Sequence, residues 1–309
     1  ERDDMGDTRR LGVTLAAATA LISGVSVFVN GLAVQAWAGA ADPTTYTTVK
    51  NAIAAALLVG VGLVGARRGW SDGWRRPTSR RQWWGLGAVA VVGGSVPFVL
   101  FFEGLARSES LQAALLHKSL VIWVAILAVG LLGERLGPWH WLAIGAVVIG
   151  QVLYAGGVTD VAFGAGELMI LAATLLWSVE VVLAKRLLGD LPSSSVGIAR
   201  MAGGTVVLVG WGLVRGAFDG LPIGPIELGW VLLTGLLLAA YVGTWFAALA
   251  RAQAVDVTAV LVGATVVTAF VGAIVDGTPV GSPLGLALIA GGAIVVGWQA
   301  ARSRAERVT

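Results

Sequence analysis

GLARSES, residues 104–110, returns as ALARAQA, residues 248–254, and this recurrence decides how the chain is laid out. Each copy sits where one long apolar stretch gives way to the next. Two further pairs keep the same order. AATALIS at 17–23 matches AATLLWS at 172–178. DPTTYTTVK at 42–50 parallels LPSSSVGIAR at 191–200, each a proline, small hydroxyl residues and then a cation. A chain that resembles itself in order reads as two repeats, 1–157 and 158–309.

Composition says what the repeats are made of. Of 309 residues, 57% are hydrophobic and 13% charged, against about 25% charged in soluble domains. That deficit places the chain in the membrane class. A helix of about 20 apolar residues crosses a bilayer. Breaks at charges, prolines and glycine clusters then give ten predicted spans, at 11–36, 43–66, 83–106, 109–132, 138–156, 167–188, 192–215, 227–250, 255–275 and 283–301. Helix is required because backbone polar groups in hydrocarbon must be satisfied within the segment, and these segments are too long and uniformly apolar for barrel strands. The expected fold is an all-α polytopic membrane protein. Five spans per repeat is an odd number, so the second repeat enters the membrane from the opposite side and the repeats are inverted.

Local signals mark some boundaries. Asp42-Pro43 reads as an N-cap with proline at the first helical position, and Leu191-Pro192 repeats the proline start. Gly93 to Pro97 in span three combines small residues with a proline, which suits a kink and hinge; a tolerated membrane proline is the alternative. Met5 reads as a native start, and no secretory signal with a small-residue cleavage site is evident.

Orientation follows from the 21 Lys and Arg. With both termini in the cytoplasm, only Arg107 and Arg215 fall on the outer side, while Lys50, Lys118 and Arg200 fall within spans. The basic loops therefore mark orientation in the cytoplasmic membrane rather than nucleic-acid binding. Trp37, Trp83, Trp84, Trp139, Trp141, Trp230 and Trp298 lie near span ends, where indole favours the interface. Cysteine is absent, which excludes disulfides, thiolate metal sites and cysteine nucleophiles.

LLGERLGPWHWLAIGAVVIGQVL (131–153) and GELMILAATLLWSVEVVLAKRLL (166–188) resemble the drug/metabolite transporter superfamily, specifically its EamA-type members. Residues 131–153 are similar to that family's fourth-span end, an acidic-basic pair followed by a Gly-rich fifth span. Residues 166–188 are similar to the start of its C-terminal half. The resemblance covers essentially the whole chain. It implies a secondary transporter of small polar or amphipathic metabolites, often an exporter, with a central cavity and no bound cofactor. The family often carries proline in the fourth span at a place that here is Val121, just after His117-Lys118.

Ionisable residues inside a span cost about 2.5–3.5 kcal/mol at a helix centre, so they usually face a cavity or a partner. Lys50, Glu103, His117, Lys118, Glu180 and Arg200 qualify. Lys118 lies about 12 Å into span four and Glu180 about 20 Å into span six, measured from the same side. Glu103, on the antiparallel neighbour, is the nearest expected partner for Lys118. The alternatives are a substrate anion completed by Lys118, or a lysine that snorkels outward. His117 points about 100° away on the helix, as packing histidine or proton relay. Glu180 has Trp177 one turn before it on the same face. That pairing suits an amine substrate or a proton-coupling carboxylate, a buried hydrogen-bonded Glu being the bland alternative. Trp123, Tyr241, Trp245 and Asn30 complete the expected lining. Lys50 and Arg200 read as structural charges near helix starts, and Glu134-Arg135 as an interfacial pair.

The leading expectation is a transporter, secondary active or facilitative, working by alternating access. Its substrate is a small metabolite such as an amino acid, amine or nucleoside, moved through a cavity lined by spans one, three, four, six, eight and nine. A non-transporting receptor or assembly subunit is the alternative. An embedded enzyme fits less well: His117 and His140 differ in depth, and no HExxH or GxSxG context occurs. The expected partners are the substrate and the bilayer, with proton coupling open, no metal, and a monomer or homodimer.

Overall fold

The structure is a computed structural model that describes residues 2–37, 43–105, 107–108, 110–157, 164–219, 224–277 and 279–302. The first two spans are α1 (Arg2–Trp37) and α2 (Pro43–Arg67). Span three is split into α3 (Arg80–Val92) and α4 (Val96–Leu105). Span four comprises α5 (Ser110–Lys118), α6 (Leu120–Leu127) and a π-helical turn, Ala128–Leu132. α7 (Pro138–Tyr154) is the fifth span.

The second half repeats the count. Span six is α8 (Ala165–Leu187). Span seven comprises α9 (Ser193–Ile198), a π-helical turn at Ala199–Gly203, and α10 (Gly204–Val214). Span eight is α11 (Pro225–Arg251), span nine is α12 (Ala254–Val262) with α13 (Ala264–Val275), and span ten is α14 (Pro283–Arg302). Among the described residues nine spans are long and apolar enough to cross a membrane; α7, at 17 residues, is shorter. At 1.5 Å per residue α7 still extends about 25 Å.

Every predicted span is present, and the differences are local. α1 begins at Arg2, because the polar stretch before residue 11 continues the helix. Pro192 is the N-cap of α9 rather than its first residue. The expected cap at Asp42 lies outside the described residues.

The break in span three has a clear cause. Proline has no N–H, so Pro97 leaves the carbonyl four residues earlier, Gly93, without its helical partner. The indole Nε1 of Trp177 donates to that carbonyl at 3.1 Å. The Ser95 hydroxyl bonds the Ala90 and Val91 carbonyls at 3.1 and 3.2 Å, which satisfies further acceptors at the break. Small residues here let backbones meet. A Cβ on Gly94 would strike the Arg200 carbonyl, and one on Gly204 would strike the Gly94 backbone.

Spans four and nine break at matching places. Ser119 (φ −63°, ψ −9°) and Gly263 (φ −55°, ψ −18°) interrupt them in nearly the same conformation. Counted from the first residues of GLARSES and ALARAQA, the two positions coincide. The chemistry differs. Ser119 bonds back to the Leu116 carbonyl at 2.6 Å and accepts from Trp123 Nε1 at 3.1 Å, a side chain competing with the helix ladder. Gly263 needs no side chain.

Aliphatic residues cover the outside. Leu21, Leu213, Ile274 and Ile294 are all exposed, as a lipid-facing surface requires. Trp83, Trp84, Trp139, Trp141 and Trp298 are exposed near span ends. Trp37 turns inward instead: it is buried, packs edge-on against Tyr46 and donates to the Glu227 carbonyl at 3.3 Å.

Candidate functional site

α4 places Phe98, Phe101 and Phe102 at helical spacing, so they share one face. That face meets α8 and α5. Trp177 packs against Phe98 and Phe101, with ring centroids 5.4 and 5.6 Å apart. His117 lies 5.1 Å from both Phe101 and Trp177, and its Nδ1 is buried without a hydrogen-bond partner. Phe102 continues the web, edge-on to Phe101 at 5.6 Å.

Cations close the web at both ends. The Arg200 guanidinium sits 5.6 Å from the Phe98 ring, and the Lys50 ammonium 5.9 Å from Phe102 and 5.1 Å from Tyr46. Arg200 is carried by the π-helical turn of span seven, an irregularity frequent at functional sites. Its Nε donates to Glu180 Oε1 at 2.7 Å, both side chains buried. Glu180 is held against the span-three break, where a Cβ at Gly93 would run into its carboxyl group. Tyr241 stacks on Trp245, centroids 6.2 Å apart.

Lys50 has an analogous arrangement in the other half. Its Nζ donates to Asn30 Oδ1 at 3.0 Å. The amide orientation is fixed, because only the oxygen can accept from an ammonium. Asn30 Nδ2 accordingly donates to the Ser26 carbonyl at 2.7 Å. The Tyr46 hydroxyl lies 2.9 Å from Asn30 Oδ1 and 3.0 Å from Thr234 Oγ1. In both halves the cation and its acceptor are separated by 20 residues. Span two answers span seven, and span one answers span six.

This pairing of halves agrees with what the chain resembles. The EamA-like transporter family model matches residues 10–156 and 164–298. The chain belongs to the EamA-like transporter family. A solved structure described as "Crystal structure of protein" aligns with a TM-score of 0.73 at 23% identity, covering 94% of this chain and 98% of that one. At that identity it shows the shared fold. No curated protein matches.

In this EamA-like protein several expected partnerships are replaced. Glu103 does not meet Lys118. It pairs with Arg107 at 2.6 Å and Arg215 at 2.5 Å, so the two arginines on that side of the bundle clasp it. Lys118 is partly buried and forms no hydrogen bond or ion pair with the described residues. Lys50 and Arg200, read as structural charges near helix starts, bond Asn30 and Glu180. Glu134 does not pair with Arg135. It accepts from the backbone N–H groups of Ala254 and Val255 at 2.7 and 3.2 Å, capping α12. Trp123 donates to Ser119 and makes no ring contact with the described residues of the aromatic web.

The face carrying most arginines, called here the basic face, is densely tied in the EamA-like bundle. Buried Asp256 meets Arg9 at 3.0 Å and His140 at 3.3 Å, joining spans nine, one and five. His140 Nδ1 accepts from the Gly137 N–H at 3.2 Å, and its Nε2 stands near Asp256 Oδ1 without forming a hydrogen bond to it. Lys185 donates to the Leu249 and Ala252 carbonyls, both at 2.6 Å, at the end of α11. Arg251 pairs with Asp72, and Ser195 bonds both the N–H and the carbonyl of Arg75. On the opposite face stand the Glu103 cluster and a Thr45 bond to the Ala217 carbonyl at 2.5 Å.

Sequence reading missed Tyr46, Thr234, Asp256 and the three phenylalanines. The 98, 101, 102 spacing was a usable signal, since it marks one helical face. Asp256 was hidden because it follows the second LAR motif, where a loop charge is expected.

Proposed function

We propose that this protein is a transporter that moves a small polar or amphipathic metabolite across the cytoplasmic membrane by alternating access, with both termini cytoplasmic and the basic face inside. Family membership supports the transporter class. The observation that carries the mechanism is the paired architecture of the centre. Each half sets a buried cation on its second span against an acceptor on its first, and both halves break span four or nine at the same register. Inverted halves with equivalent hinges can exchange conformations, which exposes one central site to either side in turn. The dense ties on the basic face correspond to a state closed toward the cytoplasm. The Arg200–Glu180 pair and the Phe98–Phe101–His117–Trp177 web form one wall of the site. Lys50, Asn30 and Tyr46 form another.

Flux into proteoliposomes tests this reading, with radiolabelled amino acids, amines, nucleosides and organic acids. Saturable uptake of at least one class is expected. Folded protein that carries none of them contradicts the proposal.

A further inference from the structure

The two matched cation sites differ in one respect that bears on what binds. In the second half the acceptor for Arg200 is a carboxylate, so the pair is neutral overall. In the first half the acceptor for Lys50 is an amide, which takes a hydrogen bond but carries no charge, and among the described residues no carboxylate pairs with the ammonium. Lys50 is 7% exposed. A buried charge normally requires an opposite charge. The Tyr46 and Phe102 rings supply cation–π attraction, which is weaker than an ion pair. An ammonium has three donors, and Asn30 uses one.

The wider centre has the same bias. Between the Glu103 cluster and the Asp256 cluster, the described basic and acidic side chains within the spans are Lys50, Lys118 and Arg200 against Glu180, with His117 and the phenols of Tyr46 and Tyr241 beside them. The negative group is already held by Arg200. An amine substrate would find Glu180 occupied and two further cations nearby. An anion would find Lys50 with donors to spare. From Lys50 a chain of ring contacts runs through Phe102 and Phe101 to His117 and Trp177, an aromatic path suited to an apolar body.

We propose that the substrate is an organic carboxylate, its anionic group docked on the Lys50 ammonium beside Asn30 and Tyr46, and its apolar part laid along Phe102, Phe101 and His117. This rests on the transporter reading and names the substrate class for the same site. Inorganic anions lack the apolar part and are poor ligands.

The test uses full-length protein in nanodiscs of zwitterionic lipid and three probes of similar shape: benzoate, benzyl alcohol and benzylamine. Calorimetry and thermal melting should show benzoate binding at least tenfold tighter than the other two. Asn30→Asp gives Lys50 an internal carboxylate, as Glu180 serves Arg200. It should retain the wild-type melting temperature or exceed it, and lose benzoate affinity at least tenfold. Lys50→Arg should keep binding. If Asn30→Asp does not fold, Lys50→Gln supplies the same reading, with the same loss expected. Benzylamine or benzyl alcohol binding as tightly as benzoate overturns the proposal, as does undiminished benzoate affinity in the charge-neutralised variant. The two readings fail separately. Flux of amines or nucleosides without benzoate binding leaves a transporter with a different substrate. Lys50-dependent benzoate binding without flux of any compound leaves an anion site in a protein that does not transport.

Discussion

Arg200 and Glu180 are both buried, and each is costly without the other. Removing one member of a buried pair strands the remaining charge, at about 3–5 kcal/mol, whereas replacing both by apolar residues of similar volume is often close to neutral. Glu180→Gln should therefore lower the melting temperature sharply, and Glu180→Leu combined with Arg200→Met should recover most of the loss. Melting of the purified variants checks this; a Glu180→Gln protein as stable as wild type would show that the pair carries no structural load. Glu180 was visible in the sequence as an intramembrane charge with no cation on its own helical face. Its partner was not, because it arrives from the next span, 20 residues on. The same blindness explains Glu103. Depth along the chain made Lys118 the nearest cation, but Arg107 lies one turn away on the chain and Arg215 reaches across from span seven. Sequence ranks partners by depth, and packing ranks them by azimuth.

Elements end where something answers their unpaired backbone groups, and α12 depends on a side chain from another span to do so. Its first N–H groups are met by Glu134 in the loop after span four, which a helix N-terminus rewards in charge as well as hydrogen bonding. Burial pushes the Glu134 carboxyl up from its ordinary value, opposed by those two N–H donors and by Lys185. A raised folded-state value means that the folded protein holds this proton more tightly than the unfolded chain. The resulting stabilisation is present below the ordinary carboxylate range and is lost as pH rises through the raised value. Gln at 134 keeps the carbonyl acceptor and does not titrate. The stability of wild type relative to Glu134→Gln should thus fall as pH rises from about 4 toward neutrality, starting from the ordinary carboxylate range. Melting curves of both proteins across that range measure it, and a difference that is flat or grows with pH would refute the assignment. Element boundaries were largely legible, because proline and glycine act locally: Pro97 announces the span-three break through the missing N–H. Ser119 announces nothing, since serine is common in membrane helices and only the Trp123 contact and the matching Gly263 mark it as a break.

At the scale of the whole molecule, on the proposed alternating-access mechanism, the two halves are a frame and the ionic ties decide which side of it is shut. Asp256 joins three spans on the basic face through Arg9 and His140 and is 1% exposed. In an alternating-access protein, such a tie stabilises one state and not the other, so its loss shifts the population rather than merely loosening the fold. Asp256→Ala should therefore favour opening toward the basic face. The chain has no cysteine, so a single introduced thiol reports accessibility cleanly. Thr258→Cys lies buried on α12 near the basic face, and Thr47→Cys lies buried on α2 near the opposite one. In reconstituted protein, Asp256→Ala should speed maleimide labelling of Cys at 258 and slow it at 47. The change should be about 5- to 150-fold, as expected for a coupling of about 1–3 kcal/mol. The opposed signs are what matter. Unfolding or general loosening raises both rates, and a rigid bundle changes neither; only a molecule whose two faces open in exclusion of each other moves them in opposite directions. The repeats were readable from GLARSES and ALARAQA, and so was the possibility of exchange between two states. The tie on the basic face depends on Asp256 meeting residues 247 and 116 positions away in the chain, and no local pattern encodes that.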